Sequence, residues 1–250
     1  MVSKSQVKYI QSLDQKKFRD EAGEFVAEGP KIINELLLGK LAEPVLVYAV
    51  PGWIEGNASL IKLLAPERMV SVTEAELERL SFLSTPNQVT GIFKKPRFNS
   101  DITPEKNISL MLDGIQDPGN LGTIVRTADW FGIRQIICSA DCADAFSPKV
   151  VQSTMGSIAR IQLLYTSLTA FMQEHPSIDY YAATLGGEPL HTLKPLKEGI
   201  IVIGNESKGI SGDVLKGCSR RVTIEKYGGA ESLNAAVATG IVLAHVTGKP

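Results

Sequence analysis

Cysteine and histidine are scarce in this chain, three of each in 250 residues. Cys138, Cys142 and Cys218 make no paired framework, which excludes a small disulfide-stapled fold, and too few histidines lie near them for a zinc site. Reduced thiols, no metal and a cytoplasmic address are the expectation. No apolar run reaches membrane-spanning length, and the start, MVSKSQVKYIQSLDQKKF, has no uninterrupted apolar stretch of signal-peptide length. Neither sign of charge is in excess: 26 Lys and Arg against 27 Asp and Glu leave a net charge of −1. A globally basic nucleic-acid binder is thereby excluded, so any such contact must come from local patches. Lys4, Lys8, Lys16, Lys17 and Arg19 form one patch and Lys94, Lys95 and Arg97 another, although a solvated face explains each equally well.

What the chain does have is ample apolar content, 44% of residues, and a regular alternation of elements. The first part predicts helices over Val7–Phe18, Lys31–Leu38, Ala58–Leu64 and Glu74–Leu80, with strands at Val45–Val50, Met69–Val72 and Val89–Phe93. That is a small α/β unit. The stretch Lys94–Lys106 carries two prolines, many polar residues and no periodicity, so it reads as a linker. Beyond it, six apolar strand segments alternate with helical or loop segments: Ile108–Leu112, Gln135–Cys138, Ile161–Tyr165, Tyr180–Thr184, Ile200–Ile203 and Arg221–Ile224. Such alternation predicts a parallel sheet covered on both faces. The expected division is residues 1–95, a linker at 96–106, and residues 107–250.

Three loops carry the chemistry. Ile224–Gly240, IEKYGGAESLNAAVATG, runs a Gly-Gly turn into Ser-Leu-Asn at the mouth of a small-residue helix, with Ser232 placed to cap it. Asp113–Gly132, DGIQDPGNLGTIVRTADWFG, follows a strand and turns through Pro118-Gly119-Asn120 into a helix bearing Arg126. Ile200–Gly212, IIVIGNESKGISG, repeats that grammar with Glu206 and Lys208 in a Gly-rich loop. Read alone, Asn120 fits a helix cap or turn residue, and Ile203, Ile224 and Thr184 fit buried strand ends. A nucleotide-phosphate loop is excluded at two places. Ile210 stands where a P-loop needs lysine, and Gly119–Gly122 lacks the G-x-G-x-x-G order.

These three blocks, in this order, resemble the SpoU (TrmH-like) branch of the SPOUT RNA methyltransferases. The first hundred residues add looser resemblance to the domain placed ahead of that catalytic domain, through Lys16-Lys17-Phe18-Arg19, Phe25-Val26-Ala27-Glu28-Gly29 and LSTPNQVTGIF at Leu83–Phe93. One departure is visible: Glu225-Lys226-Tyr227 follow Ile224, where many relatives carry Pro-Met.

The resemblance implies an α/β fold: a C-terminal parallel-sheet domain with a deep trefoil knot, preceded by a small α/β RNA substrate-binding domain. It implies methyl transfer from S-adenosylmethionine to a ribose 2′-hydroxyl of RNA, ribosomal RNA ahead of transfer RNA, by a homodimer formed through the C-terminal domain. Asn120, Arg126, Glu206, Ser232 and Asn234 become the catalytic set. Arg126 is assigned to orienting the ribose and its phosphate, with proton transfer to a phosphate oxygen as an option. Thr184, Gly186, Ile203, Gly204, Ile224 and Leu233 become the cofactor side. The alternative within the same fold is a non-catalytic RNA-binding factor of ribosome assembly, against which the intact catalytic set weighs.

Overall fold

The computed structural model describes residues 2–98 and 103–248. Its first elements are α1 (Lys4–Ser12), α2 (Lys16–Ala22), β1 (Glu24–Glu28), α3 (Pro30–Leu38), β2 (Pro44–Ala49), α4 (Pro51–Gly56), α5 (Ala58–Ile61), β3 (Met69–Ser71), α6 (Glu74–Leu80) and β4 (Val89–Lys94). There follow β5 (Ile108–Asp113), α7 (Pro118–Trp130), β6 (Gln135–Cys138), α8 (Pro148–Thr154), β7 (Gln162–Tyr165), α9 (Leu168–Glu174), β8 (Tyr180–Pro189), β9 (Gly199–Gly204), α10 (Gly212–Lys216), β10 (Arg220–Thr223) and α11 (Ala235–Val246). They form two compact units, Met1–Arg97 with Asp144–Arg160, and Phe98–Ala143 with Ile161–Pro250. Of the expected linker, residues 99–102 lie outside the described residues.

In the first unit the sheet runs β1-β4-β2-β3, antiparallel except between β2 and β3. Alternation along the strands sends Val26, Tyr48 and Ile92 to one face, where they join Ile10, Leu13, Leu77 and Leu80. On the opposite face Phe25 packs against Phe93, ring centres 5.9 Å apart, and against Phe146 at 5.3 Å. Strand β1 is buried throughout although both its ends are glutamates. Each has partners: Glu24 takes Tyr9 Oη at 2.5 Å and Lys94 Nζ at 2.7 Å, while Glu28 takes Phe82 N at 2.9 Å and the Ser81 and Thr90 hydroxyls. Burial still holds the Glu28 carboxyl above its usual range.

Three sequence expectations change here, and one side chain explains two of them. The helix expected over Val7–Phe18 is broken at Leu13–Gln15, because the Arg19 guanidinium takes the carbonyls of Leu13 at 2.7 Å and Asp14 at 2.5 Å. Arg19 is also 3.3 Å from Asp144 and only 2% exposed, so it is a structural ion and leaves the surface basic patch. That pair, the Phe25–Phe146 contact and Arg160 on Glu35 at 2.7 Å draw Asp144–Arg160 into the first unit, although the sequence division groups it with residues 107–250. The segment fits because Gly156, at φ +95°, leaves room for the Glu35 side chain. The third change is that the helix expected at Ala58–Leu64 is the short α5, preceded by α4.

The second unit holds an all-parallel sheet in the order β10-β8-β9-β5-β6-β7. Both faces are apolar, as parallel strands require. Met111, Ile137, Ile200 and Val202 pack with Leu168, Phe171 and Met172 of α9 and Val214 of α10. The alternate residues Leu110, Leu112 and Ile201 face the other way and are equally buried. Helices α7 and α11 pack along each other, with Gly240 facing the Thr127 methyl, and α11 also packs on β9. Strand β8 is longer than expected, ending at Pro189 instead of Thr184, because residues 183–187 loop out between its two stretches of pairing with β10.

Removing the Asp144 carboxylate tests the role of the segment. Asp144→Ala leaves a buried guanidinium with only backbone carbonyls, and the expected loss of stability is on the order of 2–3 kcal/mol, read as a lower urea midpoint. A change below about 0.5 kcal/mol, the range of ordinary surface substitutions, would show that the pair does not anchor the segment.

Candidate functional site

Because all six strands of the second unit run the same way, the loops after β5, β9 and β10 emerge along one edge of the sheet. These are the three loops singled out in the sequence. Helix α7 opens with Asp117 as its cap, whose Oδ1 accepts from Asn120 N at 2.8 Å, and Pro118 occupies the first helical position. Asn120 therefore lies inside the first turn, and its side chain is free to leave the helix.

The Asn120 amide makes two long-range bonds. Its Nδ2 donates to Glu206 Oε1 at 2.5 Å, and its Oδ1 accepts from Asn234 Nδ2 at 2.8 Å. Asn234 in turn caps α11, its Oδ1 accepting from Ala236 N at 2.9 Å and Val237 N at 3.3 Å. The orientation of both amides follows from the ends of this chain. An ionised glutamate only accepts, and a helix N-terminus only donates, so each asparagine must point its NH₂ toward Glu206 and its oxygen toward α11.

The loop bearing Glu206 is folded by its neighbour. Asn205 and Gly209 exchange both backbone hydrogen bonds, at 3.1 and 2.9 Å, while Asn205 Oδ1 accepts from Ser207 N and Lys208 N. Asn205 Nδ2 reaches Gly114 O at 2.8 Å, and Asp113 Oδ2 accepts from Ser211 N at 2.7 Å. A Cβ at Gly204 would stand 2.3 Å from the Gly209 carbonyl carbon, so only glycine fits there. Below the β5–α7 loop, Gly114 N donates to Ser139 Oγ at 2.9 Å and Ile115 N to Cys142 Sγ at 3.3 Å. The Cys142 thiol is drawn down to about 7, first by its hydrogen bond with Cys138. Sequence reasoning passed over Asn205 and Asp113. The signal for Asn205 was an Asn two residues before Ser in a Gly-rich loop, the pattern of an Asx turn.

The structure joins Asn120, Glu206 and Asn234 but leaves two of the expected set outside that chain. Ser232 is exposed, three residues before α11, and Asn234 holds the cap position assigned to it from sequence. Arg126 is exposed on α7, about 9 Å along the axis from Asn120 and turned to a different face. Its side chain makes no hydrogen bond or ion pair among the described residues. Thr123 and Thr127 beside it bond back to helix carbonyls, at 2.8 Å each.

On the cofactor side, Thr184 and Gly186 lie in the looped-out part of β8, with Gly186 left-handed at φ +75°. Gly204 ends β9, and Ile224 directly follows β10. Strands β9, β8 and β10 are neighbours, so these residues border one stretch of the sheet edge. The Ile203 side chain is instead core, leaving its backbone as the part that can meet a ligand. Leu233, 45% exposed, and Leu185, 68% exposed, supply open apolar surface in the flanking loops. Backbone groups beside apolar side chains, with a left-handed glycine and no charged group among the assigned residues, fit an adenosine-bearing sulfonium cofactor.

In the first unit, Lys94, Lys95 and Arg97 line a cavity of about 560 Å³ together with Lys40 and Glu43. Lys4, Lys8, Lys16 and Lys17 are exposed. No helix among the described residues is long and apolar enough to cross a membrane.

A parallel α/β domain that converges three such loops on one edge is the architecture of a SPOUT-type transferase, and the comparisons place the chain within that class. Residues 107–244 match the SpoU rRNA Methylase family and residues 4–91 the MRM3-like substrate binding domain. The chain belongs to the SpoU rRNA Methylase family. It is 29% identical to the 23S rRNA (guanosine(2553)-2′-O)-methyltransferase RlmP of Bacillus subtilis over 97% of this chain and 96% of that one. It is 27% identical to the 23S rRNA (uridine(2479)-2′-O)-methyltransferase of Streptomyces viridochromogenes over 90% of this chain and 83% of that one. The AdoMet-bound rRNA methyltransferase from Sinorhizobium meliloti superposes with a TM-score of 0.82 at 32% identity, covering 98% of this chain and 95% of that one.

The reassigned cap gives a direct test. Asn234→Ala should cost about 1 kcal/mol of stability or somewhat more, whereas Ser232→Ala should stay within about 0.5 kcal/mol. Equal losses for the two variants in denaturant titrations would return the capping role to Ser232.

Proposed function

We propose that the chain transfers a methyl group from S-adenosylmethionine to a ribose 2′-hydroxyl of ribosomal RNA, acting in the cytoplasm. The observation that carries this reading is the Glu206–Asn120–Asn234 chain, which fastens together the three loops of the family match at the carboxyl edge of the sheet. The ribosomal target draws support from the names of relatives matched over nearly the whole chain. Residues 1–95 serve as the RNA-binding domain, with Lys40, and Arg97 just beyond it, as phosphate-facing cations beside Lys94 and Lys95, which the fold pairs with Glu24 and Asp20. The threading of the C-terminal segment into a trefoil knot belongs to the same proposal.

S-adenosylmethionine, when bound, supplies an electrophilic methyl group and needs no further activation. The protein's tasks are to hold the cofactor, orient the hydroxyl and receive its proton. Thr184, Gly186, Gly204 and the Ile203 backbone edge the adenosine side, and Ile224 and Leu233 give apolar contact. Glu206 shapes its loop and fixes the asparagine amides. Arg126, with its charge unneutralised by any described residue, holds the ribose and its phosphate, and the proton passes to a phosphate oxygen, since a free guanidinium hardly ever acts as a base. Ser232, whose side chain makes no hydrogen bond among the described residues, completes the substrate side.

Arg126→Ala should abolish methyl transfer while leaving cofactor affinity nearly unchanged, and Arg126→Lys should remain poor because lysine lacks the planar fork. Leu233→Ala should instead weaken cofactor binding, by roughly 1–3 kcal/mol if the leucine is covered by adenine. Single-turnover transfer and calorimetry on the same variants decide this. Loss of cofactor binding in Arg126→Ala with its chemical rate intact would reverse the assignment.

The active form is a homodimer built on α7 and α11. Val237, Ile241 and Ala244 make an exposed apolar strip on α11, and Trp130 is 84% exposed at the end of α7. Arg126 lies one turn before Trp130, so the substrate-side arginine borders the pairing surface. Light scattering at tens of micromolar, on the order of assay concentrations and far above a sub-micromolar dissociation constant, should give twice the chain mass. Ile241→Glu should give the monomer. A parent protein that is monomeric there rules the dimer out.

A further inference from the structure

One hydroxyl holds the looped-out part of β8. Thr223 Oγ1, at the end of β10, donates to Thr184 O at 2.7 Å and accepts from Gly187 N at 2.6 Å. It closes a turn over residues 184–187 at the place where the β8–β10 register jumps, from Ala182 opposite Arg221 to Glu188 opposite Val222. The turn lies flat on β10. A Cβ at Gly187 would stand 2.5 Å from the Arg221 carbonyl group, and Gly186 adopts the left-handed φ of +75° that lets the chain double back. Leu185 at the tip is left exposed. Beyond the turn, Pro189 faces Thr223 in the ladder, and His191 and Glu225, each two residues past the end of its strand, are in contact through Nδ1 and Oε1. That pair lies outside the turn, and the Arg220–Glu188 ion pair at its base, 2.8 Å, is half-exposed on both sides and so contributes little, whereas the Thr223 hydroxyl bonds the backbone of the turn itself.

We propose that Thr223 is a positioning residue of the cofactor site, its hydroxyl shaping the Thr184–Gly187 turn that receives S-adenosylmethionine. The inference rests on the reading above in which Thr184 and Gly186 border the cofactor. A hydroxyl is required because the group must accept from one backbone N–H and donate to a backbone carbonyl at once. Valine has nearly the same shape and does neither, so it leaves two backbone groups of the turn unpaired, and the turn relaxes away from β10.

The test combines calorimetry of S-adenosylmethionine and S-adenosylhomocysteine with hydrogen exchange at the Gly187 amide in the ligand-free protein. Thr223→Val should weaken both ligands about tenfold, the worth of one such hydrogen bond, and should remove protection of the Gly187 amide. Thr223→Ser, which keeps the hydroxyl, should restore both readouts to near the parent values. Should Thr223→Val not fold, Thr223→Ala against Thr223→Ser gives the same decision, since the two differ only by the hydroxyl. Parent-like affinity in the folded valine or alanine variant overturns the proposal, and so does equal weakening in the serine variant, which would assign the effect to the lost methyl group. A parent protein that binds neither ligand overturns the cofactor reading itself, an outcome distinct from a parent that binds and a variant that binds equally well.

Discussion

Parallel pairing of β10, β8, β9 and β5 is the constraint on which the site depends. Strands that run the same way return their carboxyl ends to one edge, and each must be followed by a crossover long enough to come back. The loop after β5 is therefore a neighbour in space of the loops after β9 and β10, although 86 and 114 residues separate the bonded pairs Asn120–Glu206 and Asn120–Asn234. Small residues make this proximity usable. Gly204 lets the β9 loop close on itself, and Gly187 lets the β8 turn rest on the backbone of β10.

The polar chain across these loops has a fixed direction. Donation runs from the α11 amides to Asn234, then to Asn120, then to Glu206, so the carboxylate is reached through two aligned amides. An amide can do this because it donates at one end and accepts at the other. A carboxylate at position 120 could not donate to Glu206 and would place two negative charges side by side. A carboxylate at 234 could still cap the helix but would give Asn120 no donor. The two asparagines are thus set by the chemistry of their neighbours, independently of any ligand.

How much of this was legible in the sequence depended on how local each cause is. The six C-terminal strands and the three loops were readable because apolar runs and Gly-Asn turns write their own geometry into a few residues. The break between α1 and α2 was not, since no proline or glycine marks it. Its cause is the Arg19 side chain, itself held by Asp144 far along the sequence. The membership of Asp144–Arg160 in the first unit was hidden for the same reason, as was strand β1, whose terminal glutamates resemble surface residues until their buried partners are known. In the site, Asn120, Glu206 and Asn234 of the five expected residues are joined by hydrogen bonds, but the cap of α11 was placed two residues early, because Ser and Asn are almost equally good caps and local pattern does not separate them.

The division between bound and unbound side chains also says what the site is prepared for. Asn120, Glu206 and Asn234 are bonded to one another, and Asn205 to the Gly114 carbonyl and its own loop, so the geometry of all four is set by the fold. Arg126, Ser232, Leu233 and Leu185 point to solvent, and they pair a strong cation and a hydroxyl with open apolar surface. In the proposed reaction, phosphate and ribose meet the first two and adenine the others. Groups already satisfied by the fold give such a site its shape, and groups the fold leaves free give it its affinity, because only the latter exchange water for ligand on binding.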